Sequence, residues 1–73
     1  PNDKEQALKA IPLLMRALES DNQTVRLEAT IALGDLGPLA QDAVPAIELV
    51  SEDDPIRTIR QAAKESLGRI RAE

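Results

Sequence analysis

The sequence predicts an all-α fold, an α-solenoid (superhelix) of two stacked helical hairpins with four helices in all. Two observations predict it. First, the chain has an internal repeat, since Ile11-Pro12 is matched by Val44-Pro45 at a distance of 33 positions. Second, the apolar residues of each copy recur at steps of three and four, which is the spacing of one face of an α-helix. A repeat of this length is typical of units that stack in a row, because one unit is too small to bury its apolar face alone.

The first hairpin is predicted from about residue 3 to residue 37. Its first helix carries one apolar stripe, and Pro12 within that stripe predicts a bend or a late helix start, because proline removes a backbone donor and crowds the preceding turn. The second helix is predicted over residues 23–36. Gly34 in its last turns permits a neighbouring backbone to approach closely, and Gly37 is placed to end the helix in a left-handed conformation.

The second hairpin is predicted from about residue 38 to residue 73. Its first helix is predicted from Leu39 or Ala40 to Ser51, and its second helix ends near Arg71. Pro45 repeats the perturbation of the first copy at the matching place. The whole chain is thus predicted to be one domain of two repeats, and we expect it to be an excerpt of a longer array.

The second helices of the two copies differ on one face. Leu27 and Ile31 form an additional apolar stripe in the first copy, and the residues 34 positions later are Gln61 and Glu65. A helix with two apolar sides usually lies between neighbours, whereas a terminal helix has one. The second unit is therefore expected to end the stack with a polar outer face, and exposure of both Leu27 and Ile31 would indicate a preceding repeat.

The composition restricts the chemistry that the chain can perform. The 73 residues carry a net charge of −4 and include no His, Cys, Phe, Tyr or Trp. The absence of His, Cys and Tyr removes the usual general base and the thiol nucleophile, so we expect no enzyme, no catalytic residue, no cofactor and no metal site. The apolar stretches are far shorter than the roughly 20 residues that span a bilayer, which predicts no membrane partner and a cytoplasmic location.

Three features together resemble HEAT repeats, in particular the short bacterial type found in phycobilisome lyase-related proteins. Each unit has a proline in its first helix, a β-branched residue followed by Arg at the start of its second helix, and an Ala-rich run that ends in Leu-Gly. They are Pro12 and Pro45, Val25-Arg26 and Ile59-Arg60, and the segments 29–34 and 63–68. The resemblance covers the chain from about Ile11 to Ile70.

The resemblance implies a ladder in which an Asp in the turn and an Arg six residues later link successive units. Asp54 and Arg60 have this spacing, whereas the first unit has Ser20 at the Asp position and Asp21 one residue late. Arg26, Asp54 and Arg60 are therefore predicted to be structural. An Asp at a helix start and an Arg one turn into the helix would satisfy free amide donors and hold neighbouring turns in register.

Binding is the function that this architecture favours. Stacked helical hairpins expose long, shallow surfaces that suit peptides, helices or folded partners. We therefore expect a protein-protein interaction scaffold whose partner is a protein or a peptide. The candidate interaction surface comprises the exposed positions of the second helices, which are Thr24, Glu28, Thr30, Asp35, Thr58, Gln61, Lys64 and Glu65.

Three alternatives concern the partner. The resemblance implies a scaffold or subunit of a phycobilisome (bilin) lyase-type system, which would bind a linear tetrapyrrole or a phycobiliprotein. The basic C-terminal helix favours a contact for anionic partners, although the net charge of −4 disfavours nucleic acid. A homodimer could also form through an exposed repeat end, because such ends often pair with a copy of themselves.

Overall fold

The computed structural model describes residues 3–71, and these form four α-helices and one 3-10 helix. They are α1 (Asp3–Ala17), α2 (Gln23–Asp35), the 3-10 helix (Gly37–Ala43), α3 (Val44–Asp53) and α4 (Arg57–Arg71). Helices α1 and α2 make the first hairpin, and α3 and α4 make the second. The predicted all-α fold of two helical hairpins is confirmed, and the predicted outer bound at residue 73 lies outside the described residues.

Local side chains explain the ends of α2. Asn22 caps its N-terminus, since the Oδ1 atom accepts hydrogen bonds from the backbone N–H groups of Thr24 at 2.8 Å and of Val25 at 3.2 Å. Both N–H groups lie in the first turn and have no partner within the helix. At the other end Gly37 has a φ of +61°, a left-handed conformation that costs glycine nothing. The sequence prediction for this turn is confirmed.

The two prolines act differently from the prediction. Helix α1 runs continuously through Pro12, so the late start is wrong. In the second copy the predicted α-helix from residue 39 or 40 is also wrong, because residues 37–43 form a 3-10 helix with Ala40 outside helical geometry (φ −93°, ψ 22°). The segment between Pro38 and Pro45 has too few residues to nucleate an α-helix of its own. In an α-helix that continued through Pro45, the proline ring would also crowd the carbonyl of Gln41.

Helix α4 lies at the centre of the packing. It contacts α2, α3 and the 3-10 helix, whereas α1 packs mainly on α2 and on the 3-10 helix. The core is entirely aliphatic. Its largest fully buried apolar side chains are Leu33, Ile47, Ile59 and Ile70. With no aromatic residue to fill space, stability depends on many small contacts and on close approach of the helices.

The closest approach of the two second helices occurs at Gly34. A Cβ atom built on this glycine would lie 2.4 Å from Oγ and 2.8 Å from Cβ of Ser66. The Ser66 hydroxyl also donates a 2.7 Å hydrogen bond to the carbonyl oxygen of Thr30, one turn earlier on α2. Glycine is therefore required at position 34, because any larger residue would separate α2 from α4.

The outcome for Leu27 and Ile31 is mixed. Ile31 is 44% exposed, but it lines a shallow hollow together with Ala62 and Ser66 of α4. Leu27 is half-buried and packs against the core. The two side chains therefore do not form one open apolar face. Exposure of both would have indicated a preceding repeat, and only Ile31 is exposed.

Within the described part of the chain, none of the helices has the length and apolar character needed to cross a membrane.

Candidate interaction site

Arg26 joins the two hairpins through a partly buried ion pair. Its Nε donates to Oδ2 of Asp54 at 2.8 Å, and a second nitrogen, NH2, donates to Oδ1 at 3.4 Å. The remaining nitrogen, NH1, donates to the backbone carbonyl of Ser20 at 2.8 Å. The planar guanidinium thus binds the turn of its own hairpin and a carboxylate of the next hairpin at once, which a lysine could not do.

Arg60 repeats one half of this arrangement. Its NH1 donates to the backbone carbonyl of Asp54 at 2.7 Å, which matches the bond from Arg26 to Ser20 in the first unit. The link within a hairpin uses a backbone carbonyl in both units, so the absence of an Asp at position 20 does not remove it. Among the described residues, Arg60 has no carboxylate partner equivalent to the one that Arg26 binds.

The surroundings of Asp54 favour its charged form. Burial by itself raises the pKa of this carboxyl, but the hydrogen bonds from Arg26 and from the backbone N–H of Ile56 and the charges of Arg26 and Arg60 outweigh burial. The net result is a pKa below the ordinary value. Asp54 is therefore ionised at neutral pH and already bound on both oxygens, which leaves it poorly suited to hold a ligand.

The predicted interaction surface of the second helices needs one correction. Thr30 is fully buried, since its hydroxyl donates to the carbonyl of Arg26 at 2.8 Å and its own carbonyl accepts from Ser66. The sequence reasoning overlooked that its neighbour Gly34 brings α4 onto this side of α2. The other seven positions are exposed. They are Thr24, Glu28 and Asp35 on α2, and Thr58, Gln61, Lys64 and Glu65 on α4.

These exposed residues do not converge on one site. Glu65 lines the hollow of about 190 Å³ between α2 and α4, where Arg69 also lies. Gln61 and Lys64 line a different hollow with Arg57 and Arg60. Asp35 is engaged with Arg69 in an exposed ion pair of 2.7 Å. The structure therefore divides the predicted surface into an acidic and polar part beside α2 and a basic part on α4.

A continuous apolar groove lies on the opposite side, between the first helices of the two hairpins. Its two adjoining parts have volumes of about 220 and 350 Å³ and share Met15, Glu19 and Ala46. We call it the α1/α3 groove. Its lining residues are Pro12, Met15, Arg16, Leu18, Glu19, Ala46, Leu49, Val50, Asp53 and Asp54. The groove exists because α1 and α3 do not pack tightly on each other and because Ala46 is too small to fill the space.

The α1/α3 groove combines an apolar floor with a charged rim. Leu49 is 61% exposed on its edge. The rim carries Asp53 in the part near Leu49, Glu19 where the two parts meet and Arg16 in the other part. The sequence analysis missed this site, although Leu49 lies off the apolar stripe of its helix and so provided a signal. The floor needed the structure, since it joins residues from two hairpins.

Within residues 3–71 no group of acidic side chains is arranged to hold a metal ion. A family model described as HEAT repeats matches residues 2–68. The chain belongs to the HEAT-repeat family. The two hairpins with their close second helices are therefore HEAT repeats, and the finer prediction of a bacterial, phycobilisome lyase-type repeat is not confirmed.

One HEAT-repeat relative changes the functional expectation. In an alignment over 68 residues that covers 90% of this chain, the chain is 41% identical to a protein of Candida albicans named deoxyhypusine hydroxylase. The chain spans 21% of that relative, which is thus much longer. No solved structure gives a significant match. The prediction that the chain is not an enzyme is wrong, because the chain is similar to a protein that is named as an enzyme. The absence of His, Cys and Tyr is a property of these 73 residues alone.

Proposed function

We propose that this pair of HEAT repeats binds a protein partner through the α1/α3 groove. The observation that supports the proposal is an open apolar groove with Leu49, which is 61% exposed, on its edge. Contiguous exposed apolar surface with a polar rim is typical of protein interaction sites. HEAT repeats supply such surfaces from rigid helices, so little conformational entropy is lost on binding.

The occupant that fits this groove is an amphipathic helix with aliphatic anchors. The floor formed by Met15, Ala46 and Leu49 is long and shallow, and it lies between two helices. Helices that bind in such grooves insert side chains spaced at three and four residues. Glu19 and Asp53 on the rim favour a lysine or an arginine of the partner beside them, because opposite charges on a rim direct and orient association.

A peptide titration tests this proposal. The probe is an amphipathic helical peptide with leucines on one face and lysines on the other, followed by methyl NMR of the protein, which detects weak binding. Leu49→Asp should raise the Kd of the peptide at least about tenfold, since burying one leucine contributes about 1.5–3 kcal/mol. The matched control is Leu13→Asp, because Leu13 is 66% exposed but does not line the groove.

Two results would reject the groove. Shifts spread over the whole surface would indicate unspecific association of the peptide. Equal effects of Leu49→Asp and Leu13→Asp would show that any exposed leucine serves equally well. A peptide of the same pattern with glutamates in place of lysines should bind more weakly, which tests the acidic rim separately.

A second proposal follows from the relative. The similarity of 90% of the chain to deoxyhypusine hydroxylase supports a role as part of the HEAT-repeat framework of an enzyme that hydroxylates deoxyhypusine. Replacing the matching 68 residues of the Candida albicans protein by this chain tests it. Retained hydroxylation of deoxyhypusine by the chimera supports the proposal, and a folded but inactive chimera argues against it.

The bilin alternative has a separate test. Binding of a linear tetrapyrrole would change the absorbance of the chromophore on titration with this protein, and an unchanged spectrum would exclude it.

A further inference from the structure

A basic hollow lies on α4, on the side that no part of the described chain covers. Arg57, Arg60, Gln61 and Lys64 line this hollow of about 230 Å³, which we call the α4 basic patch. The protein as a whole carries a net charge of −4. A hollow lined by three cationic side chains and no acidic one is therefore not expected from the composition. Within residues 3–71, neither Arg57 nor Lys64 pairs with a carboxylate.

The corresponding face of α2, in the first hairpin, is covered by the second hairpin, so its contacts show what such a face binds. On α2 this face carries Arg26, Thr30 and Gly34. Arg26 binds the carboxylate of Asp54, while Thr30 and Gly34 receive Ser66. All three contacts come from the second hairpin. The face is therefore a docking surface for a helical hairpin that presents a carboxylate in its turn and a small residue on its helix.

The second hairpin presents the matching face 34 residues later. Arg60, Lys64 and Gly68 correspond to Arg26, Thr30 and Gly34. A Cβ atom on Gly68 would meet nothing within 4 Å, and Lys64 is exposed. Arg60 is held by its NH1 bond to the carbonyl of Asp54, which orients the guanidinium. The opposite edge, which Arg26 uses for a carboxylate, has no partner among the described residues.

The face of α4 is nevertheless more polar than the corresponding face of α2. Lys64 replaces the buried Thr30, and Gln61 replaces the half-buried Leu27. A long charged side chain at position 64 prevents a helix from packing as closely as Ser66 packs on Gly34, while it adds a second positive charge beside Arg60. The occupant therefore binds through charge and not through close helix packing.

We propose that the α4 basic patch binds an acidic helical segment of a protein partner, with one carboxylate on the free edge of Arg60. Arg57 and Lys64 bind further carboxylates of that segment. A carboxylate suits this site because the guanidinium fork offers two parallel donors. A short acidic segment meets only these cations, whereas the extended phosphate backbone of a nucleic acid also runs past the rest of a chain whose net charge is −4. This surface is separate from the α1/α3 groove and does not depend on it.

Fluorescence anisotropy of a labelled helical peptide rich in Glu and Ala tests the proposal. The double variant Arg57→Glu/Lys64→Glu should weaken binding at least tenfold. The control Lys4→Glu/Lys9→Glu makes the same change of net charge on exposed positions of α1 and should leave the Kd within about twofold at physiological ionic strength. Arg60→Lys keeps the charge but removes the fork, and it should weaken binding severalfold while circular dichroism confirms an unchanged fold.

The remaining outcomes would overturn the proposal. Equal losses in the two double variants would show that net charge alone determines binding. Tighter binding of duplex DNA than of the acidic peptide, with the same dependence on Arg57 and Lys64, would assign the patch to nucleic acid. Self-association that Arg57→Glu/Lys64→Glu abolishes would assign it to a second copy of the chain. No detectable binding of the peptide would also reject it, whatever the leucine peptide does at the α1/α3 groove.

Discussion

Alanine at the two matching glycines should change stability in opposite directions. In Gly34→Ala the new Cβ would lie 2.4 Å from Oγ, 2.8 Å from Cβ and 3.0 Å from Cα of Ser66. The hydroxyl can rotate away, but Cβ and Cα can move only if α4 moves. At Gly68, which follows 34 positions later, the new Cβ would meet no atom within 4 Å. The two substitutions are therefore identical in chemistry and differ only in what covers the helix.

The magnitudes follow from three contributions. Overpacking typically costs about 1–3 kcal/mol, and loss of the hydrogen bond from Ser66 to the Thr30 carbonyl adds about 1 kcal/mol. Alanine recovers about 1 kcal/mol through its higher helix propensity. Gly34→Ala should thus lower the free energy of unfolding by about 1–3 kcal/mol. Gly68→Ala keeps the propensity gain alone and should raise it by about 0.5–1 kcal/mol.

Urea denaturation followed by helical circular dichroism measures both effects. For a domain of this size each 1 kcal/mol corresponds to a melting shift of about 4–8 °C, so thermal scans provide a second readout. The combined variant Gly34→Ala/Ser66→Gly removes the Oγ and Cβ contacts and should recover part of the loss. If Gly34→Ala is as stable as Gly68→Ala, the close packing of α2 on α4 and the reasoning from it are wrong.

Three further predictions concern the ion pairs and the left-handed turn. Asp54→Asn leaves the partly buried Arg26 without its carboxylate and should cost about 2–3 kcal/mol. Asp35→Asn, in a pair exposed on both sides, should cost less than about 0.5 kcal/mol, and equal losses in urea titrations would contradict this difference in burial. Because the pKa of Asp54 is lowered on folding, its contribution is present above the ordinary aspartate pKa of about 3.9 and is lost as the pH falls through the folded-state pKa. Unfolding free energies measured between about pH 5 and pH 2 should therefore fall more steeply for the wild type than for Asp54→Asn, and parallel curves would speak against this assignment. Gly37→Ala places a side chain at a φ of +61° and should cost about 1 kcal/mol, visible as a lower melting temperature; an unchanged melting temperature would contradict the left-handed turn.

Sequence features were sufficient for the class of fold and for most of the helices. The helical spacing of apolar residues and the turn at Gly37 depend on residues that are close in the chain, and the repeat of Ile11-Pro12 is found by comparing two segments of it. Such features are readable without a structure, because helix periodicity and left-handed glycine are set by the backbone itself. The 3-10 helix at 37–43 was missed, since its geometry reflects competition between two prolines and the surrounding packing.

Function was the weakest part of the sequence reasoning. The absence of His and Cys predicts that the chain is not an enzyme, and similarity to a protein named deoxyhypusine hydroxylase contradicts this prediction. The error arose because a repeat can belong to an enzyme whose reacting groups lie on other parts of a longer chain. Composition within one pair of repeats therefore bounds what that pair contributes, and it does not bound the activity of the protein that contains it.

The sequence by itself determined that this protein is a pair of stacked helical hairpins with an aliphatic core, because periodicity and glycine placement are local properties. Tertiary structure alone decided which polar and apolar positions are accessible. Thr30 is buried because Gly34 lets α4 approach, Leu49 is exposed because α1 and α3 remain apart, and Arg60 keeps a free edge because no carboxylate among the described residues reaches it. The first two depend on the distance between two helices, which is set by side chains that are far apart in the sequence. The third depends on which side chains the fold brings near Arg60.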